Sequence, residues 1–382
     1  MRIAVIGGGP AGLYFARLVG LHTPQHTVVV FEQNAPDATF GFGIGLGGKA
    51  RDLIHRVDPQ VHDRIAAAMV FANQQRIHLN GADIVLDYSG KGGAIGRLEM
   101  LHILQEACAE VGVEVRHNTR IEDLGAFAGY DLVVGADGVN SVVRRLHGDA
   151  FGTAIYHLTN HFSWYGVARA MRPGSLVFRT TPVGRFVGHY YPYAPAMSTF
   201  VAECDAATWN GAGLGRMTDD ERKSYMERVF APELAGDRLI DNRSIWRNFP
   251  VVTNRNWYVG NTVLIGDALL SAHFSIGSGT RLSMDDAMAL FEAIRAGGSV
   301  AECLSRYVKL RQPIRENFRI AAERSFNWYE RLAEIMDQAP IDFVHDFLTR
   351  TGRIDANRLA EYAPGFFKLY SETKAAQTRA AG

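Results

Sequence analysis

The chain opens on a short β-rich apolar run, residues 2–6, with little alternation, which predicts a strand buried on both faces. A glycine turn follows, then helical spacing from Ala11 to Val19, then a second apolar run, Thr27 to Glu32, so the first thirty residues read as a βαβ unit. Residues 39–49 are glycine-rich, with Gly41, Gly43, Gly45, Gly47 and Gly48 nearly alternating, as expected of backbone lying flat against a ligand. Arg97 to Val111 reads as a helix, Val113 to Arg116 as a strand, and Tyr130 to Gly138 as a strand running into a tight turn. Between 153 and 252 the pattern changes. Aromatic and β-branched runs at Ser175–Thr180, Phe186–Tyr193 and Ser198–Glu203 predict an antiparallel sheet, interrupted by a helix over 218–230. The α/β pattern returns at Thr262–Asp267, and from about Leu282 the chain looks helical, with no internal repeat.

These elements predict an α/β protein with an α+β insertion. Residues 1–152 and 253–300 form one discontinuous Rossmann-like domain, with an excursion at about 72–96 joining the other domain. Residues 153–252 form the inserted sheet, and 301–382 a helical C-terminal region.

Composition narrows the class. The 382 residues suffice for two domains, and 40 Lys+Arg balance 40 Asp+Glu, which speaks against a disordered or nucleic-acid-binding protein. Cys108, Cys204 and Cys303 are widely spaced and odd in number, which predicts reduced thiols in a cytoplasmic protein. The N-terminal apolar run is too short for a signal peptide, and no stretch of about 18 apolar residues suggests a membrane span. The histidines are scattered and no HExxH occurs, so no metal site is expected.

Candidate chemistry begins at Gly7-x-Gly9-x-x-Gly12, set between a strand and a helix. In that context the first glycine permits the tight turn, the second lets backbone approach a pyrophosphate, and the third lets helix pack on strand. Glu32, 20 residues after Gly12 at the end of the second strand, is placed to accept from ribose hydroxyls. The fingerprint predicts a dinucleotide without choosing between NAD and FAD.

Two further motifs carry a resemblance. The segment Asp131 to Arg144, containing Asp137-Gly138, resembles the Asp-Gly motif of single-component FAD-dependent aromatic hydroxylases, and Val263 to Ala268, containing Gly266-Asp267, resembles their later Gly-Asp motif. Arg97, opening its helix, matches a family arginine that approaches the pyrophosphate. The stretch His273-Phe274-Ser275-Ile276-Gly277-Ser278-Gly279-Thr280 resembles a subgroup that includes salicylyl-CoA and 2-aminobenzoyl-CoA hydroxylases and the tryptophan hydroxylase of violacein biosynthesis. Segments Trp164–Gly166, Leu176–Thr180 and Ser198–Cys204 are similar to that subgroup too, as is Tyr307-x-x-x-Arg311-x-Pro313. Two places depart from the wider family: His273-Phe274 replaces a Pro-Pro pair, and the Gly41–Gly48 loop lacks an arginine.

The resemblance implies FAD as cofactor, NADH or NADPH and O2 as co-substrates, and hydroxylation of an electron-rich aromatic compound through a C4a-hydroperoxyflavin. The substrate is an acyl-CoA or other thioester, or an indolic or anilinic ring. In the family the Asp of the Gly-Asp motif bonds the ribityl chain, and Gly277 and Gly279 follow beside the flavin. His273 and Phe274 are the expected catalytic pair, His273 as a group that gives or takes a proton near neutral pH. His161, Trp164, Phe178, His189 and Tyr191 on the inserted sheet are the candidates to face the substrate. The expected assembly is a monomer or homodimer with no nucleic-acid or membrane partner. A halogenase is disfavoured because no two tryptophans stand two residues apart, as a Trp-x-Trp motif requires. A flavin reductase or dehydrogenase without oxygen insertion, or a non-catalytic FAD-binding protein, are the alternatives.

Overall fold

The computed structural model describes residues 1–381; Gly382, the last residue of the predicted helical tail, lies outside the described residues. Two sheets organise the chain. The first has six strands in the order Tyr258–Val259, Thr262–Leu264, Leu132–Gly135, Arg2–Ile6, Thr27–Phe31, Glu114–Arg116. All neighbours run parallel except the first pair. Arg2–Ile6 and Thr27–Phe31 are buried at four of five positions. The helix Pro10–His22 packs on these strands and in turn on the helices Arg97–Glu110 and Gly279–Arg295.

The second sheet has nine strands. Thr153–Val167, Met197–Cys204, Gly184–Ala194 and Gly174–Thr181 pair antiparallel in that order, with Arg247–Asn254 also on Thr153–Val167. The sheet is not antiparallel throughout. Val70–Leu79 runs parallel to Gly174–Thr181 and carries the hairpin partner Ala82–Gly96 into the same sheet. The glycine-rich segment closes the far edge as the strand Gly43–Leu46, paired with Gly93–Gly96. Gly43 is required there because a Cβ would meet Tyr193 Cβ at 2.5 Å and its ring at 2.6 Å, so this glycine admits an aromatic side chain.

One face of the second sheet packs on Asp219–Val229 and its neighbouring short helices through Tyr165, Phe186, Tyr190, Phe200 and Phe230. Asp219–Val229 starts where the sequence predicts, with Thr218 and Glu221 forming a reciprocal cap. The other face carries Leu176, Phe178 and Val187, which pack on the C-terminal helices through Trp328, Phe343, Phe347 and Leu359. The helical tail therefore roofs half of the inner face of this sheet. The long helix Val300–Tyr329 joins that roof to the first domain. No described helix is long and apolar enough to cross a membrane.

Candidate active site

Four parallel strands deliver the motif residues to one edge of the first sheet. Arg2–Ile6 leads into Gly7–Gly9, Thr27–Phe31 into Glu32, Leu132–Gly135 into Asp137–Gly138, and Thr262–Leu264 into Gly266–Asp267. The connections diverge to either side of Arg2–Ile6, so the carboxyl ends open on a crevice where strand order reverses. A groove of about 430 Å³ occupies that crevice, lined by Gly7, Gly9, Glu32, Arg97, Asp137, Gly138 and Asp267 among others.

The lining of the groove has the chemistry of a dinucleotide site. A Cβ on Gly12 would meet the Gly7 carbonyl at 2.1 Å, so this glycine sets the helix against the turn. A Cβ on Gly9 would meet nothing, and Pro10 opens the helix with no side-chain cap, leaving open space at a helix N-terminus where a pyrophosphate binds well. Glu32 accepts from Gly8 N at 2.7 Å and from Asn34 N and Nδ2 at 2.8 and 2.6 Å, which fixes its carboxylate on the fingerprint turn. Asp137 accepts from Val142 N and Val143 N through Oδ2, while its Oδ1 is buried without a partner. Asp267 Oδ1 and Arg97 Nε are likewise buried and unpartnered. Burial pushes both carboxyls up from the ordinary range, with Arg315 and Arg97 opposing it at Asp267, and pushes the Arg97 guanidinium down. Unpartnered buried acceptors and a buried guanidinium along one groove suit a ligand that brings hydroxyl groups and negative charge.

A buried network holds the Gly-Asp turn in place. Asp286 accepts from Gly266 N at 3.0 Å and from Arg311 Nε at 2.6 Å, and stands 3.4 Å from Arg315. Arg315 donates to the carbonyls of Gly266 and Leu270. Arg144, of the Asp-Gly motif, donates to Ala268 O at 2.8 Å and so staples the two motifs together.

Beside the groove, the inner face of the second sheet presents rows of directly opposed residues. One row is Phe162, Glu203, Val187, Phe178; the next is Trp164, Val201, His189, Leu176; the third includes Gly166, Thr199 and Tyr191. Phe274 closes on the first two rows, 4.7 Å from Phe162 and 6.3 Å from Trp164 between ring centroids. Burial pushes the His189 ring down to about 4 and the Tyr191 hydroxyl up, yet both side chains keep partial accessibility.

An FAD-binding-domain family matches residues 129–319. The chain is 36% identical over 362 residues to a salicyloyl-CoA 5-hydroxylase of a Streptomyces species, covering 92% of this chain and 70% of the relative. It is 36% identical over 365 residues to the 3-hydroxy-4-methyl-anthranilyl-(aryl-carrier protein) 5-monooxygenase of Streptosporangium sibiricum, covering 96% and 98%. The chain belongs to the single-component FAD-dependent aromatic hydroxylases. A third relative, the protodeoxyviolaceinate monooxygenase of Chromobacterium violaceum, is 31% identical over 92% of this chain and 94% of its own, and its name differs from the tryptophan hydroxylase of the resemblance. The fold of 2-methyl-3-hydroxypyridine-5-carboxylic acid oxygenase superposes with a TM-score of 0.69 at 18% identity, over 94% of this chain and 95% of that one.

Within this hydroxylase the predicted substrate-facing residues separate. Trp164, His189 and Tyr191 share the inner face, with Tyr191 donating to Gly43 O at 3.0 Å. Phe178 is covered by the tail: it is 0% exposed and packs on Phe343 at 4.7 Å. His161 lies on the opposite face from Trp164, stacked on Trp209 at 4.1 Å, because odd and even positions of one strand point apart. Gly277 adopts the left-handed region and Gly279 opens the helix Gly279–Arg295; neither lines the groove itself.

His273 is also placed differently from its expected role. The ring is 4% exposed, stacked on Phe274 at 4.2 Å, and burial, with Arg350 nearby, pushes it down to about 3. Its Nδ1 accepts from Ser275 N at 3.2 Å, so the neutral ring carries its proton on Nε2 and caps the following turn. A proton gained or lost near neutral pH does not fit this setting. The linkage is testable. The unfolded ring protonates as pH falls through 6.5 and the folded ring only near 3, so the stabilising difference is complete above pH 6.5 and declines below it. The loss is about 1.4 kcal/mol per pH unit for each such ring. His273→Asn, titrated in urea at pH 7.5 and 5, is expected to lose less stability on acidification than the wild type; equal losses contradict the buried neutral assignment.

Asp286, Arg315, Glu203 and Arg350 escaped the sequence reading. Glu203 accepts from Asn160 Nδ2 at 2.8 Å, and burial pushes its carboxyl up to about 8. Among the described residues one group suits a metal, His55, His62 and Asp63, with ligand atoms within 4.8 Å of one another; it does not line the groove.

Proposed function

We propose that this hydroxylase acts on an electron-rich aromatic ring carried as a thioester of coenzyme A or of a carrier protein, with a free indolic or anilinic compound as the second class. The observation that carries the reading is the 36% identity, over nearly the whole chain, to two relatives named for thioester-bound aromatic acids. FAD, reduced by NAD(P)H, supplies the activation of O2. In this reading Asp267 and Asp137 accept from hydroxyls of the cofactor, Arg97 and the Gly9 turn hold its pyrophosphate, and Glu32 meets the adenosine ribose. The uncapped N-terminus at Ser278–Gly279 favours negative charge on the flavin. Phe162, Trp164 and Phe274 wall the ring-binding space and exclude water, while His189 and Tyr191 offer polar atoms that orient the substrate. A cytoplasmic setting suits three buried free cysteines. The enzyme works as a monomer or homodimer.

The test is a screen of aromatic acids, their CoA thioesters, carrier-loaded forms and indoles for stimulated NAD(P)H oxidation, with product mass recorded. A thioester is expected to stimulate most and to gain one oxygen. Stimulation by free acids alone contradicts the thioester assignment.

A further inference from the structure

The two helices that follow the glycine-rich segment carry a cluster that the hydroxylase chemistry does not use. Gly48–Val57 and Pro59–Ala68 are joined by the single residue Asp58, which is 1% exposed. Asp58 caps the second helix by accepting from Val61 N and pairs with Arg17 at 3.0 Å. Ala50 and Ile54 of the first helix and Val61 and Ile65 of the second are buried, so the pair is held from its apolar side and from its junction. His55 follows Ile54, and His62 and Asp63 follow Val61, which leaves His55 and Asp63 exposed and His62 partly so.

On that outer side the two imidazole rings meet edge to face, with 4.7 Å between centroids and 80° between planes. His62 Nδ1 lies 2.8 Å from Asp63 Oδ1, and one ligand atom from each of the three residues lies within 4.8 Å of the others. An exposed His–Asp pair alone is worth little and would engage only Asp63 and one nitrogen of His62. His55 makes no hydrogen bond or ion pair among the described residues, yet its ring is set against His62. Two imidazole nitrogens and a carboxylate oxygen form a donor set that suits zinc, whereas magnesium and calcium take oxygen ligands. Ligand bonds of about 2.0–2.2 Å require the three atoms to draw together, which exposed side chains achieve by changing rotamer while the buried faces stay in place.

We infer that His55, His62 and Asp63 form a surface site for a zinc-like divalent cation, with water as the fourth ligand, that clamps the two helices across Asp58. The two histidines stand seven apart with Asp58 and Pro59 between them, so no single-helix ligand pattern marks the site in the sequence. The cluster does not line the groove, so the inference stands apart from the hydroxylase reading. Both helices must be folded to bring the ligands together, so zinc binds the native chain in preference to the unfolded one.

The experiment uses full-length, FAD-loaded protein without a histidine tag, freed of metal with EDTA. Zinc is titrated against a chromophoric chelator of micromolar affinity, and thermal unfolding is scanned with and without zinc. Wild type is expected to take one zinc per chain from the chelator and to melt at a higher temperature when zinc is present. His55→Ala and His62→Ala are each expected to weaken zinc by more than about tenfold, at least the effect of losing a ligand's supporting partner, and to abolish the rise. Asp63→Asn, at the most exposed of the three side chains, is expected to weaken zinc in the same direction, and it carries the test if a histidine variant fails to fold. Magnesium is expected to give no rise. A wild type that leaves all the zinc with the chelator, zinc binding unchanged in the variants, or a rise with magnesium equal to that with zinc would each overturn the assignment.

Discussion

Asp286→Ala is expected to cost about 3–5 kcal/mol of stability, the largest effect of any single change considered, because it leaves buried arginines without their counter-charge. Asp286 is 0% exposed, bonds Arg311 at 2.6 Å, and lies 3.4 Å from Arg315. It also accepts from Gly266 N, so the same substitution frees the turn that presents Asp267. Denaturant unfolding and flavin content measured together should therefore both fall. Asp286→Asn keeps the acceptor and shape and is expected to fall between the two. An alanine variant within about 1 kcal/mol of wild type, the span of ordinary surface changes, and replete in flavin would show that the network does not hold the turn.

Asp267→Ala is expected to weaken FAD about tenfold to hundredfold, the worth of a hydrogen bond to a charged group, and to purify largely colourless. Burial pushes the Asp267 carboxyl up and its Oδ1 has no partner, while Arg315, Arg97 and the Ala272 N–H favour its charge, so removing it from the empty groove relieves one cost and forfeits another. The melting temperature of the apo form is expected to change little, while the increase produced by FAD shrinks. Thermal scans with and without FAD check both parts. An unchanged FAD affinity would make the Gly-Asp motif a turn and nothing more.

The flavin side was legible in the sequence because each motif there is local. Gly7 to Gly12, Asp137-Gly138 and Gly266-Asp267 each sit at a strand end, and a parallel sheet necessarily gathers strand ends on one edge. The substrate side depends on facts that are not local. Alternation puts His161 and Trp164 on opposite faces, and that much could have been read from the strand itself. It does not say which part of a face the tail covers, so Phe178 and His189 looked equivalent although one packs on Phe343 and the other keeps partial accessibility. His273 kept its expected neighbour, Phe274, but its protonation is set by Phe249 and Arg350, distant in sequence. Asp286 and Arg315 carry no motif beyond charged positions on helices, and their partners are defined only once those helices pack.

This hydroxylase is expected to insert one atom of molecular oxygen into an aromatic ring. The most direct measurement is turnover of the stimulating substrate with NAD(P)H under 18O2, with product mass determined. One 18O atom is expected in each hydroxylated product, and no product without oxygen. Label entering from water instead, or substrate-dependent NAD(P)H oxidation that continues without oxygen and leaves the ring unhydroxylated, would contradict it.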